Sequence, residues 1–126
     1  MDLRAMLGTL AIERAPGTFV YCTSDRGDLL GEAAATVQEA EGRTLVLERE
    51  RAEALGLPLG LELAWLTVQV HSSLEAVGLT AALSRALTDA GIPCNVLAGA
   101  YHDHLLVPAD LADRALAALD DLRVAS

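Results

Sequence analysis

Residues 63–71 read Leu-Ala-Trp-Leu-Thr-Val-Gln-Val-His, and apolar and polar side chains alternate along them. In an extended chain, successive side chains point to opposite faces, so Ala64, Leu66, Val68 and Val70 share one face. This pattern predicts a β-strand that packs on one side only.

The residues after this strand predict a helix, a hairpin and a second helix. Leucine and alanine recur at helical spacing over 79–90. Two short apolar runs, 94–98 and 102–107, are separated by only a few residues and predict a β-hairpin. A second helical pattern follows from Asp110 onward. The order strand, helix, strand, strand, helix is ferredoxin-like without its last strand, so another segment has to cover the open edge.

The first half has shorter patterns. It predicts a helix over 2–12, a strand over 19–23, hairpin strands over 34–40 and 43–48, and a helix over 49–55. The segment Thr44-Leu45-Val46-Leu47 with Ala52-Glu53 is echoed later by His104-Leu105-Leu106-Val107 with Ala112-Asp113. Each segment predicts a strand followed directly by a helix. A duplicated α+β unit would explain the echo.

The composition fits a small globular protein. With 126 residues, 52% of them apolar, the chain can form one domain or two small units that share a core. No apolar run approaches the roughly 18 residues of a membrane-spanning helix. Asp2 and Arg4 make the first residues a poor signal peptide. We therefore expect a soluble, cytoplasmic protein that does not bind membranes.

The charge balance excludes several classes of function. Acidic residues number 18 and basic residues 9, and the net charge of −9 argues against a nucleic-acid partner. All the basic residues are arginines, which rules out a P-loop lysine and Schiff-base catalysis. Cys22 and Cys94 lie in apolar runs, so we expect buried reduced thiols rather than a disulfide. We predict no cofactor.

Three stretches carry a resemblance to a known family. They are Val70-His71-Ser72-Ser73-Leu74-Glu75-Ala76-Val77-Gly78-Leu79-Thr80, Gly91-Ile92-Pro93-Cys94-Asn95-Val96, and Tyr101-His102-Asp103-His104 with Val107-Pro108-Ala109. Together they resemble the small stand-alone bacterial proteins made of paired ACT domains, closely over 64–122 and more loosely over 14–60. They are also similar to the regulatory ACT domains of aspartate kinases, where a glycine-containing loop precedes a helix and an A-G-I-x-x-N turn starts the next strand.

This resemblance implies an α+β fold. It would consist of two intertwined ferredoxin-like (ACT) units, with antiparallel sheets and helices on one face. A divergent first unit would span residues 1–62 and the second unit 63–126. The resemblance further implies a non-catalytic regulatory protein that binds a free amino acid or similar small ligand at an interface between ACT units. A homodimer, with an enzyme of amino-acid metabolism as a partner, is the expected assembly.

The resemblance also implies a ligand site. Its residues are Ser73, Glu75, Val77, Gly78 and Leu79 around the start of a helix, and Ile92, Cys94 and Asn95 at the turn into the next strand. A helix N-terminus exposes unpaired N–H groups, which suit the carboxylate of an amino acid. Gly78 would permit close approach of a ligand or, equally, tight packing within the fold. Asn95 can donate and accept hydrogen bonds or cap the hairpin, and Ser72 or Ser73 can simply cap the helix.

The three histidines suggest a different function. His102 and His104 share one face of a strand, and His71 ends the strand before the helix. Three imidazoles can bind zinc and leave an open position, which would make the chain a metal-dependent enzyme. The alternative is a polar sheet edge with hydrogen bonds to Asp103 or Tyr101. A third hypothesis is a dimerisation or interaction module that binds no ligand. We predict the amino-acid-binding regulator, with no catalytic residue and no metal.

Overall fold

The computed structural model describes residues 2–70 and 77–126. Contacts divide the chain into two compact units. The larger unit is Met1–Ala15 with Ala64–Ser126, and the smaller unit is Pro16–Leu63. The division into residues 1–62 and 63–126 remains a prediction. The contacts add that the first fifteen residues group with the C-terminal half of the chain.

The described residues form four helices and seven strands. In chain order these are α1 (Leu3–Gly8), β1 (Ala11–Arg14), β2 (Phe19–Thr23), β3 (Ala35–Glu39), β4 (Gly42–Glu48), α2 (Arg49–Ala54), β5 (Leu63–Gln69), α3 (Leu79–Asp89), β6 (Asn95–Ala98), β7 (Asp103–Pro108) and α4 (Ala112–Val124). Short 3₁₀ turns lie at Gly27–Glu32 and Ala109–Leu111. Among these described helices, none is both long and apolar enough to cross a membrane.

The sheet of the larger unit is completed by the N-terminal segment. Its strand order is β1-β5-β7-β6. β1 pairs antiparallel with β5, with Ile12 opposite Val68, and β6 pairs antiparallel with β7, with Val96 opposite Leu105. β1 therefore supplies the last strand that residues 63–123 lack.

The helix predicted over residues 2–12 is only partly correct. The helix α1 ends at Gly8, and Ala11–Arg14 form a strand instead. Met6, Leu7 and Leu10 are buried as their helical spacing indicates, but Leu10 is already past the helix. A four-residue strand is too short to produce an alternation of its own, so the preceding helical pattern concealed it.

The core of the larger unit lies between one face of the sheet and two helices. The alternation predicted for β5 is confirmed, since Ala64, Leu66 and Val68 are buried and Trp65 and Thr67 are not. The other buried members of this core are Leu10, Leu83, Leu87, Ile92, Leu105, Val107, Ala112, Ala115 and Leu119. Both α3 and α4 contribute to it, so the two helices cover the same face of the sheet.

The smaller unit has the same plan in a reduced form. Its strands lie in the order β3-β4-β2, all antiparallel. The predicted hairpin is confirmed, and Gly42 at its turn has φ 144°. Gly27–Glu32, a 3₁₀ turn, takes the place that α3 has in the larger unit. The core consists of Val20, Cys22, Leu29, Leu45, Leu47 and Ala52.

The internal echo in the sequence corresponds to equivalent positions in the two units. Leu45 and Leu47 on β4 are fully buried, and so are Leu105 and Val107 on β7. β4 leads directly into α2, whose buried residue is Ala52. β7 leads through the 3₁₀ turn at Ala109–Leu111 into α4, whose first buried residue is Ala112. The predicted α+β fold with two ferredoxin-like units is confirmed.

We expect Leu10→Ala to lower the free energy of unfolding by about 2–4 kcal/mol, because Leu10 is 5% exposed and its removal leaves a cavity in the core of the larger unit. Urea unfolding measures this change. The matched control is Leu61→Ala, whose side chain is 66% exposed and which should change the stability by less than about 0.5 kcal/mol. Equal effects of the two substitutions would contradict the placement of the N-terminal segment.

Candidate functional site

The predicted ligand residues lie in two groups within the larger unit. Val77, Gly78 and Leu79 lie at the start of α3. In the other group, Ile92 and Cys94 lie between the end of α3 and β6, and Asn95 is the first residue of β6. Ser73 and Glu75 fall outside the described residues, as do Ser72 and His71. With 11 residues, α3 is about 16 Å long, so the two groups lie at opposite ends of a helix.

At the start of α3, Gly78 is the N-cap residue. The sequence predicts Gly78 within the first turn of a helix that begins near Ser72 or Ser73, whereas the described helix begins at Leu79. Gly78 has φ 98°, in the left-handed region, where a side chain is strained. Val77, just before it, is 86% exposed, whereas Leu79 is half-buried and packs against the core.

The position of Gly78 is also sterically restricted. A β-carbon there would lie 3.1 Å from Cδ2 of Leu3 on α1. The backbone conformation and this contact together account for a glycine. Of the two interpretations left open by the sequence, tight packing therefore has direct structural support, with α1 as the neighbour.

At the other end of α3, the residues differ in accessibility. Gly91 ends the helix with φ 75°, as predicted. The Ile92 N–H donates to the Leu87 carbonyl at 2.9 Å, and the Ile92 side chain is buried, so Ile92 has a packing role. Cys94 is half-buried, and burial raises the pKa of its thiol. Asn95 begins β6 opposite Leu106 and is exposed.

Both cysteines are free thiols. Cys22 is buried in the core of the smaller unit, as expected, and burial raises the pKa of its thiol too. Cys94 departs from the expectation because its side chain is only half-buried. Of the predicted site residues that the structure describes, Val77 and Asn95 have exposed side chains, whereas Leu79 and Cys94 are half-buried against the core.

The face of the sheet opposite the helices carries a polar cluster. His104 on β7 lies beside β5, with its Nδ1 3.0 Å from Thr67 Oγ1 and 3.2 Å from Trp65 Nε1. The Trp65 N–H also lies within hydrogen-bond distance, 3.2 Å, of Thr67 Oγ1. The alternation of β5 indicates that Trp65 and Thr67 share a face, but it does not reveal that His104 lies beside them.

Two of the three histidines are described, and they are close together. The ring centres of His102 and His104 are 6.4 Å apart, with the rings nearly perpendicular. Burial lowers the pKa of His104 below its ordinary value near 6.5, the charge of His102 lowers it further, and Asp103 acts in the opposite direction. Within residues 2–70 and 77–126, no group of three or more histidine, cysteine or carboxylate side chains is arranged to hold a metal ion.

Three of the surface cavities formed by residues 2–70 and 77–126 include none of the predicted site residues. A cavity of about 330 Å³ between β1 and α4 in the larger unit is lined by Leu10, Ala11, Ile12, Leu116, Leu119, Asp120 and Arg123. A groove of about 600 Å³ between α3 and α4 is lined by Ala82, Arg85, Ala86, Asp89, Ala90, Ala118, Asp121 and Leu122. In the smaller unit, a cavity of about 500 Å³ is lined by Pro16, Gly17, Thr18, Glu48, Arg49, Glu50 and Glu62.

Both halves of the sequence match one protein family. Residues 1–62 and residues 61–121 each match the ACT domain. No curated protein matches the chain.

Several solved structures have a similar fold. A Vibrio cholerae protein, described as of unknown function and as a possible transport protein, is 42% identical, with a TM-score of 0.88 over 96% of this chain and 95% of that chain. An Agrobacterium tumefaciens protein is 12% identical, with a TM-score of 0.72 over 90% of this chain and 89% of that one. The regulatory subunit of aspartate kinase from Thermus thermophilus, in its ligand-free form, is 13% identical, with a TM-score of 0.58 over 90% and 95% of the two chains. The last two similarities concern the fold alone.

We expect Gly78→Ala to destabilise the protein by about 1–3 kcal/mol, because a β-carbon at φ 98° is strained and presses on Leu3. Thermal or urea unfolding measures the loss. Gly31→Ala is the matched control, since no atom lies within 4 Å of its β-carbon and its φ is not positive. That variant should be neutral or slightly stabilising. If both variants were equally stable, the geometry at Gly78 would be wrong.

We expect a pKa below about 6.5 for His104 in an NMR titration of its imidazole protons. His102→Ala should raise this pKa by removing a like charge, and Asp103→Asn should lower it by removing an opposite charge. Because the folded-state pKa lies below the unfolded one, the unfolded chain binds the proton more readily. The stability contribution of His104 is therefore present above the unfolded pKa and is lost as the pH falls through the folded one. A wild-type pKa above the ordinary value would contradict this environment.

Proposed function

Because the chain belongs to the ACT domain family, we propose that it is a regulatory protein that binds a free amino acid or a similar small molecule. ACT domains are typically regulatory and bind small ligands. The observation that carries the proposal is the match of both halves to this domain. The exposed Val77 and Asn95, at positions where the resemblance implies ligand contacts, support it.

The start of α3 suits a carboxylate group. The first N–H groups of a helix have no partner within the helix, and they lie at the positive end of its dipole. Gly78, the N-cap residue, has no side chain that could accept a hydrogen bond from them. The carboxylate of an amino acid can accept hydrogen bonds from these N–H groups.

The distance between the two groups of site residues determines whether one copy of the chain can form the whole site. A helix about 16 Å long is longer than a free amino acid. One ligand therefore cannot touch both Val77 and Asn95 of the same larger unit. We place the proposed site in a homodimer, where the α3 start of one copy meets the β6 start of the other.

The regulatory step follows from such a shared site. A ligand that contacts both copies favours the dimer arrangement in which these contacts form, so that its binding shifts the population toward this arrangement. We propose a separate enzyme of amino-acid metabolism as the partner that responds. The resemblance of the sequence to the regulatory ACT domains of aspartate kinases supports this class of partner.

We expect at least one of the twenty free amino acids to raise the unfolding temperature of the protein. A ligand at a hundred times its dissociation constant stabilises the folded state by about 2.7 kcal/mol, which amounts to several degrees for a chain of this size. Differential scanning fluorimetry of metal-free protein measures the shift. If no amino acid shifts the transition, the amino-acid proposal fails, and a ligand-free interaction module becomes the better interpretation.

Two variants test the position of the site. Val77→Glu places a carboxylate next to the α3 start and should abolish the shift by charge repulsion, and Asn95→Ala should weaken it by removing hydrogen bonds. The matched controls are Val37→Glu and Gln38→Ala, on an exposed part of β3, and they should keep the shift. Gly78→Val is a poor test, because any β-carbon there strains the backbone irrespective of ligand binding.

A mixture of the two variants tests whether the site is shared between copies. In a dimer of one Val77→Glu chain and one Asn95→Ala chain, one site has both damaged groups and the other has neither. Co-expression should therefore restore part of the ligand-induced shift that each variant lacks alone. If the mixed dimers bind no better than the single variants, each site belongs to a single copy.

A further inference from the structure

The hairpin between β6 and β7 brings two imidazoles together outside the proposed amino-acid site. The Gly99 N–H donates to the His102 carbonyl at 2.9 Å and closes the turn, and His104 pairs with Leu97 in the first part of β7. His102 lies in the turn just before β7, and its ring centre is 6.4 Å from that of His104. The hydrogen bond of the turn and the strand register therefore fix the backbone positions of both histidines.

We propose that His102 and His104 together bind one divalent transition-metal ion of the Ni²⁺, Cu²⁺ or Zn²⁺ class. Imidazole nitrogen is a preferred ligand for these ions. A metal held about 2.0–2.1 Å from each nitrogen places the two ring centres roughly 5 to 6.5 Å apart, depending on the angle at the metal. The observed separation of 6.4 Å is at the linear end of this range, so the exposed His102 has to rotate toward His104 to give a tetrahedral arrangement.

Thr67 can orient His104 so that its Nε2 is the metal ligand. Metal-bound histidines usually donate the other ring N–H to a protein acceptor, which fixes their orientation. In the tautomer with the proton on Nδ1, this N–H donates to Thr67 Oγ1 at 3.0 Å. The Trp65 N–H lies 3.2 Å from both Thr67 Oγ1 and Nδ1, and in this tautomer it donates to the hydroxyl oxygen alone, which has two lone pairs. The lone pair of Nε2 then points away from Thr67.

Gly99 leaves space at that nitrogen. A β-carbon on Gly99 would lie 3.5 Å from Nε2 of His104 and 3.0 Å from the His102 carbonyl oxygen. Gly99 has no positive φ that would require a glycine. Its missing side chain therefore opens the space beside both the hairpin turn and the imidazole nitrogen. Two protein ligands would leave the remaining coordination positions to water or to an external group.

Nickel binding to the tag-free chain of 126 residues tests this proposal. Trp65 is the only tryptophan, and its ring centre is 5.1 Å from that of His104, so bound Ni²⁺ should quench its fluorescence. Calorimetry of the same titration should give one Ni²⁺ per chain. His102→Asn, at an exposed position, should lower the affinity by about tenfold or more, and His104→Asn should do the same.

Control variants separate this pair from other metal-binding groups. His71→Asn and Cys94→Ala should keep the wild-type affinity within about twofold, whereas Thr67→Val, which loses only the hydroxyl partner of Nδ1, should weaken it severalfold with the chain still folded. The proposal is overturned if Ni²⁺ binding is not saturable, if His102→Asn binds as tightly as wild type, or if His71→Asn loses affinity as His102→Asn does. The amino-acid shift of the unfolding temperature is a separate measurement, so either proposal can fail without the other.

Discussion

The antiparallel pairing of β1 with β5 is the contact on which the larger unit depends. Four backbone positions, from Ala11 opposite Gln69 to Arg14 opposite Leu66, join segments more than fifty residues apart in sequence. The pairing covers an edge of β5 that would otherwise present free N–H and C=O groups. It also brings Leu10 into the core with Leu66 and Val68. Only with both segments does the unit acquire the four strands and two covering helices of a ferredoxin-like fold.

Both units have the same order of elements, but the core of the larger unit has more buried residues. In each unit a buried strand runs into a helix whose first turns contribute a small buried residue, Ala52 in one and Ala112 in the other. The smaller unit has a 3₁₀ turn where the larger unit has α3. This turn contributes only Leu29 to the core of the smaller unit. The larger unit thus has an 11-residue helix, which begins two residues after the exposed Val77.

The candidate site is shaped by the length of α3 and by the packing at its start. The positive φ at the helix start and the close contact with Leu3 both favour glycine at position 78, so packing accounts for this residue. Ile92 likewise closes the other end of the helix and is buried. The residues left for binding lie at the two ends of one rigid helix. A rigid element of this length keeps Val77 and Asn95 apart within one copy, which is why the proposed amino-acid site requires two copies.

The sequence alone determined the elements whose signal is local. The alternation of β5, the hairpin at Gly42, the end of α3 at Gly91 and the echo between the two halves all depend on residues close together in the chain. Tertiary structure decided the features that depend on distant pairs. These include the strand at Ala11–Arg14, the contact of Gly78 with Leu3, and the position of His104 beside Trp65 and Thr67. The physical reason is that strand pairing and side-chain packing join residues that no local periodicity relates, whereas turns and alternation are fixed by the backbone conformations of neighbouring residues.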